Sequence, residues 1–254
     1  MALTDLQLFT AVDANVKAYW NLQEAAAGTT WDNGEGTAGW DATPNSGNEP
    51  QVSATAVNGN FARSRIGDNN DYASFSDPGF PTGAFTIEAI VYGDDSTTDT
   101  EAIFAQYATT GGTANRSFYL QRGGGSAGTN RVFDFGVTTD GTAWKTAQTA
   151  QLNNVQWYYV VCVFEPSTAI RIYIDGALSV SNTTSIPATV SDATVPIFFM
   201  RYNATWGGAN AFDGLVQAVR VSDVARDSTF ISNVWNNTGG GGGASNRLTL
   251  LGVS

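Results

Sequence analysis

The 254-residue sequence contains no histidine and a single cysteine, Cys162. Without histidine, no Ser-His-Asp or Cys-His machinery can be assembled, and no zinc site can use imidazole. One cysteine forbids an internal disulfide. Its setting in "WYYVVCVF" reads as a buried small hydrophobe, not a nucleophile. Positive charge is also scarce. Twelve Lys and Arg face 23 Asp and Glu, a formal net charge of −11 with no basic run. A phosphate backbone would be repelled, so no nucleic-acid partner is expected. No apolar run reaches the roughly 18 residues of a spanning helix, so no membrane partner is expected either. The N-terminus lacks a basic leader followed by an apolar core, and the expectation is a chain made without a secretory signal.

What is present has a period of two. Phe85, Ile87, Ala89 and Val91 alternate along "FTIEAIVYG", as do Phe133, Phe135 and Val137 along "RVFDFGV". In "QWYYVVCVFE" both faces are apolar, which suits a central strand covered on both sides. "PIFFMRY" and "GLVQAVRV" read as further strands. Clusters of Gly, Asn, Asp, Ser and Thr separate these runs at short intervals, the pattern of an all-β sandwich or barrel. In "AIRIYIDGAL", Asp175-Gly176 predicts a tight hairpin turn, which accounts for Asp175 without a catalytic role. Two short helices are expected. One is capped by Thr4 over "DLQLFTAVDANV". The other is capped by Asp227 or Ser228 and buries Phe230, Ile231, Val234 and Trp235. "TGGGGGASN" reads as a flexible linker and "RLTLLGV" as a last strand.

Four stretches carry a family resemblance: "KAYWNLQEAAAGTTWDNGEG", "NDYASFSDPGFPTGAFTIEAIVY", "NNVQWYYVVCVFEPSTAIRIYIDGAL" and "AFDGLVQAVRVSDVARDSTFISNVW". In this order they resemble the laminin-G-like branch of the concanavalin A-like lectin/glucanase superfamily. The resemblance implies a jelly-roll β-sandwich of two curved antiparallel sheets over residues 17–236. Residues 1–16 then form an N-terminal helical extension, and residues 237–254 a Gly-rich linker and C-terminal strand. Both ends are expected to dock on other subunits of an assembly. Relatives often hold Ca2+ through acids that are replaced here by Arg65, Ile66 and Gly67 and by Val216, Gln217 and Ala218. The oxygens of Asp68, Asn70 and Asp71 remain as calcium donors, and the same residues equally suit a polar turn.

Some relatives are glycosidases, which need two carboxylates facing the scissile bond. Glu88, the best-placed acid, is followed on its own face by Ile90 and Tyr92 and reads as hydrogen-bonded and inert at a sheet edge or beneath a loop. The chain is expected not to be an enzyme. The residues best suited to stacking on and hydrogen-bonding a sugar are Tyr202, Asn203, Trp206, Asn210 and Asp213 in one loop, with Trp144 on another loop or sheet face. The same loop residues also suit a plain core cap with tight turns. Trp20, Trp157 and Trp235 read as core. An adhesive fold without an export signal leads to the expectation of a virion surface protein: a phage head decoration, fibre or tail component that displays a lectin-like sandwich to glycans. The alternatives are a bacterial carbohydrate-binding or adhesion module at the cell surface and, more remotely, a degenerate glycoside hydrolase.

Overall fold

The computed structural model describes residues 13–22, 30–45, 51–53, 62–64, 71–93, 100–108, 115–123, 131–203 and 212–236. Most of the expected N-terminal helix, the Gly-rich linker and "RLTLLGV" lie outside the described residues. The part of that helix that is described is not helical. Asp13 Oδ1 accepts the Asn15 N–H at 2.9 Å and the Asp13 carbonyl accepts the Val16 N–H at 3.2 Å. This local side-chain bond competes with helix formation and turns the chain straight into a strand.

That strand is β1 (Val16–Trp20). It is followed by β2 (Thr43–Pro44), β3 (Gln51–Ser53), β4 (Ala62–Ser64), β5 (Ala73–Phe75), β6 (Phe85–Gly93), β7 (Glu101–Tyr107) and β8 (Arg116–Arg122). Then come β9 (Phe133–Thr138), β10 (Trp144–Gln148), β11 (Gln156–Glu165), β12 (Ala169–Ile174), β13 (Ala177–Asn182), β14 (Ile197–Phe199), β15 (Gly214–Ser222) and a single described helix, α1 (Ser228–Asn236). They form two antiparallel sheets. The eight-stranded sheet runs β13-β12-β11-β6-β15-β4-β3, with β1 also on β15. The seven-stranded sheet runs β10-β9-β8-β7-β14-β5-β2.

The alternating residues meet between the sheets. Phe85, Ile87, Ala89 and Val91 of β6 share one core with Phe118 and Leu120 of β8 and Phe133, Phe135 and Val137 of β9. Trp20 lies at its centre, 5.0 Å from the Phe199 ring and 5.3 Å from Phe75, with its indole N–H donated to the Trp40 carbonyl at 2.9 Å. Strand β11 is apolar on both faces because both are covered. Tyr158, Val160, Cys162 and Phe164 enter the central core, while Trp157, Tyr159, Val161 and Val163 face the layer under α1. Asp227 caps α1, its Oδ1 accepting the Phe230 N–H at 2.7 Å, and Ile231 is the helix residue that is fully buried.

The hairpin turn forms as the Asp-Gly pair requires. Asp175 has φ 52° and Gly176 φ 81°, the left-handed pair of a two-residue turn that matches strand twist. Asp175 Oδ1 also accepts the Tyr159 N–H at 3.0 Å, which ties the turn to β11. Burial pushes its carboxyl up to about 6.

Candidate functional site

Alternation in β8 and β9 sends Phe118, Leu120, Phe133 and Phe135 inward, so Tyr119, Gln121, Asp134 and Gly136 take the outer face of the seven-stranded sheet. Register sets Tyr119 opposite Gly136 and Gln121 opposite Asp134. Gly136 is needed for room: a Cβ there would lie 2.5 Å from the Tyr119 ring. The tyrosine lies across this gap, and its hydroxyl donates to Asp134 Oδ2 at 3.2 Å. Gln121 Nε2 donates to the same oxygen at 3.0 Å. Asp134 is only 6% exposed, and burial raises its carboxyl to about 6 against the two hydrogen bonds that lower it. Burial likewise pushes the Tyr119 and Tyr202 hydroxyls up.

Four rings collect on this face. Trp144, at the start of β10, stacks on Tyr107, at the end of β7, with centroids 5.5 Å apart and planes 11° apart. Tyr119 packs 4.8 Å from Trp144, and Tyr202 packs 5.2 Å from Tyr107. Ala102 and Ala105 form the apolar floor. Tyr119 and Tyr202 are buried, whereas Trp144 and Tyr107 are half-exposed. The Arg116 guanidinium carbon sits 4.4 Å from the Tyr107 centroid. The arrangement gathers half-exposed aromatic rings beside polar groups, the residue types that can hold a sugar ring by its C–H face and its hydroxyls.

Two expected residues therefore meet through two unexpected ones: Trp144 and Tyr202, 58 positions apart, are bridged by Tyr107 and Tyr119. Trp144 stands on a sheet face. Asn203 is buried beside Tyr202 in sequence. Asp213 is half-buried, and its backbone N–H donates to Glu101 Oε2 at 3.3 Å. Trp206 and Asn210 lie outside the described residues, as do Asp68 and Asn70. Asp71 is buried just before β5, and among the described residues no cluster of three acids or other metal-ligating side chains occurs. Tyr107, Arg116, Tyr119, Gln121 and Asp134 are missing from the sequence expectation. The signal for three of them was the polar face that β8 and β9 leave opposite their phenylalanines.

Glu88 needs a correction. It lies neither at an edge nor beneath a loop, but on β6, between β11 and β15, in the layer covered by α1. Its carboxylate accepts Arg220 Nε at 2.5 Å and Nη2 at 2.6 Å, and the Tyr159 hydroxyl as well. All three side chains are essentially fully buried, so Glu88 has no open oxygen to offer a substrate. Another acid pair exists in sequence, Asp99 and Glu101 two positions apart. Asp99 lies outside the described residues. Glu101 is buried at the start of β7.

Among the described residues, no helix is long and apolar enough to cross a membrane. Residues 67–232 match the family described as the Concanavalin A-like lectin/glucanases superfamily, in a laminin-G model. No curated protein matches the chain. Solved structures share the fold at low identity. Domain 4 of AbnA, a GH43 extracellular arabinanase from Geobacillus stearothermophilus solved with arabinotriose, is 14% identical with a TM-score of 0.64, over 87% of this chain and 98% of that one. The binding domain of Paraclostridial Mosquitocidal Protein 1 is 8% identical with a TM-score of 0.67, over 89% and 53%. The ligand-binding domain of botulinum neurotoxin serotype D, solved with N-acetylneuraminic acid, is 12% identical with a TM-score of 0.60, over 88% and 51%. The chain thus spans about half the length of these two toxin binding domains.

Proposed function

The chain belongs to the concanavalin A-like lectin/glucanases superfamily, and from that premise we propose that it is a non-catalytic glycan-binding domain whose sugar platform is Trp144 and Tyr107. The observation that carries this reading is the half-exposed Trp144–Tyr107 stack on the outer face of the seven-stranded sheet, held by the buried rings of Tyr119 and Tyr202. Rings fixed from below lose little freedom when a sugar stacks on them. Two same-fold domains solved with arabinotriose and with N-acetylneuraminic acid support a sugar as the ligand class. The engaged state of Glu88 supports binding without hydrolysis. A glycan array with the purified chain tests the reading: binding that Trp144→Ala abolishes sustains it, and a blank array contradicts it. Trp206→Ala, run in parallel, reports whether residues 204–211 contribute.

The setting we propose is the virion surface, with a bacterial cell-surface adhesion module as the alternative. This rests on sequence alone. Mass spectrometry of purified particles tests it, and recovery of the protein only from uninfected cells would overturn it. Docking of the two ends on other subunits and calcium held by Asp68, Asn70 and Asp71 are proposals of the same standing, tested by cross-linking and by calcium titration.

A further inference from the structure

Resting on the reading of Trp144 and Tyr107 as a sugar platform, we infer that Arg116 makes the site selective for carboxylated sugars, its Nη2 donating to the ligand carboxylate while the sugar ring stacks beside it. Arg116 stands opposite Tyr107 in the β7–β8 register, at the same end of the sheet as Trp144 and the turn before it. Its guanidinium is fixed on three sides. The carbon lies 4.4 Å from the Tyr107 centroid, Nε donates to the Ala108 carbonyl at 3.0 Å, and Nη1 donates to the Gly141 carbonyl at 3.3 Å. Nη2 has no hydrogen bond among the described residues, and the side chain is half-exposed.

Arg116 differs from three other arginines of the chain. Arg171, Arg220 and Arg226 each pair with a carboxylate, Glu165, Glu88 and Asp13 respectively. Arg116 is held by two neutral carbonyls and forms no ion pair among the described residues. Asp140, beside Gly141 in the turn, has its Oδ1 accepting the N–H groups of Thr142 and Ala143 at 2.8 Å and the Thr138 hydroxyl at 3.1 Å. The guanidinium is thus oriented at the rim of the aromatic pair, with no carboxylate paired to it among the described residues. Hydrogen bonds between ionised partners are about twice as strong as neutral ones, so a carboxylate gains more here than a hydroxyl does. The chain's net charge of −11 opposes an anion only at long range, since salt screens separations beyond about 8 Å at physiological strength.

The test titrates the full chain with trigalacturonate and with the α-methyl glycoside of N-acetylneuraminic acid, each against its own uncharged methyl ester, and with neutral arabinotriose. The expected result is that at least one acid binds about tenfold more tightly than its ester. Raising the salt narrows that gap, and Arg116→Gln removes it. Equal binding of acid and ester, or binding of arabinotriose alone, overturns the inference and leaves the platform standing. Silence from every sugar overturns both. Should Arg116→Gln lower the melting temperature, the acid–ester comparison on the wild-type chain decides alone.

Discussion

Arg220 closes on Glu88 through two bonds, Nε to Oε2 at 2.5 Å and Nη2 to Oε1 at 2.6 Å, in a fully buried layer beneath α1. Removing one partner of such a pair strands the other charge in a medium that cannot solvate it. Glu88→Gln should therefore lower unfolding free energy by about 3–5 kcal/mol. In a urea melt the midpoint falls while the slope stays constant. Sugar binding, on the opposite sheet, should be unchanged in the variant that remains folded. A variant as stable as the parent would contradict the burial of the pair.

Asp134 makes stability depend on pH. Its folded carboxyl titrates at about 6 against an ordinary 3.8 because burial penalises the charge. The folded chain holds this proton more tightly than the unfolded chain does. The stabilisation is complete below about 3.8 and is lost as pH rises through 6. Asp175, raised to about 6 by the same cause, adds a slope of the same sign. Asp13, lowered to about 2 chiefly by its hydrogen bond to Arg226, acts oppositely and only below its ordinary value. Asp134→Asn should flatten the decline in melting temperature between pH 4 and 7 without abolishing it. At neutral pH it should gain on the order of 2–3 kcal/mol, since each tenfold difference in proton affinity between folded and unfolded chain is worth about 1.4 kcal/mol. An unchanged pH profile would show that Asp134 titrates normally.

Gly136 holds the Tyr119 ring in place by having no side chain. Gly136→Val should push that ring off the sheet, break its bond to Asp134 and misplace Trp144 above it. Sugar affinity should fall by about tenfold or more, with a stability loss of about 1–3 kcal/mol. Calorimetric titration beside a thermal melt separates the two effects.

Gly176 has a positive φ, and an added Cβ would lie 2.7 Å from the Trp235 Cβ. Gly176→Ala should cost more than about 1 kcal/mol, through strain at the turn and displacement of α1. Near-ultraviolet circular dichroism should record the loosening of the Trp235–Tyr159 stack.

The sandwich was legible in the sequence because alternation is a local signal. Phe85 to Val91, Phe133 to Val137 and both faces of β11 could be assigned by reading every second residue. Asp175-Gly176 likewise contains its own turn geometry. The site was legible only in part. Trp144 and Tyr202 were marked by residue type, but Tyr107 and Tyr119 join them through strand order, which no local pattern encodes. Glu88 was misplaced for the same reason. Its neighbours Arg220 and Tyr159 lie 132 and 71 positions away in sequence, and only sheet pairing makes them partners. The spacing of Leu6, Phe9 and Val12 fits a helix, and those residues lie outside the described ones; from Asp13 on, the Asp13 carboxylate accepts the Asn15 N–H and the chain enters β1 at Val16.

The most direct measurement is the affinity of wild-type chain and Trp144→Ala for the tightest sugar found on the array, taken by calorimetry alongside melting temperatures. With the fold intact, the variant should bind at least about thirtyfold more weakly, the scale of losing a central aromatic anchor. Equal affinities in two equally stable proteins would contradict a sugar platform on this face.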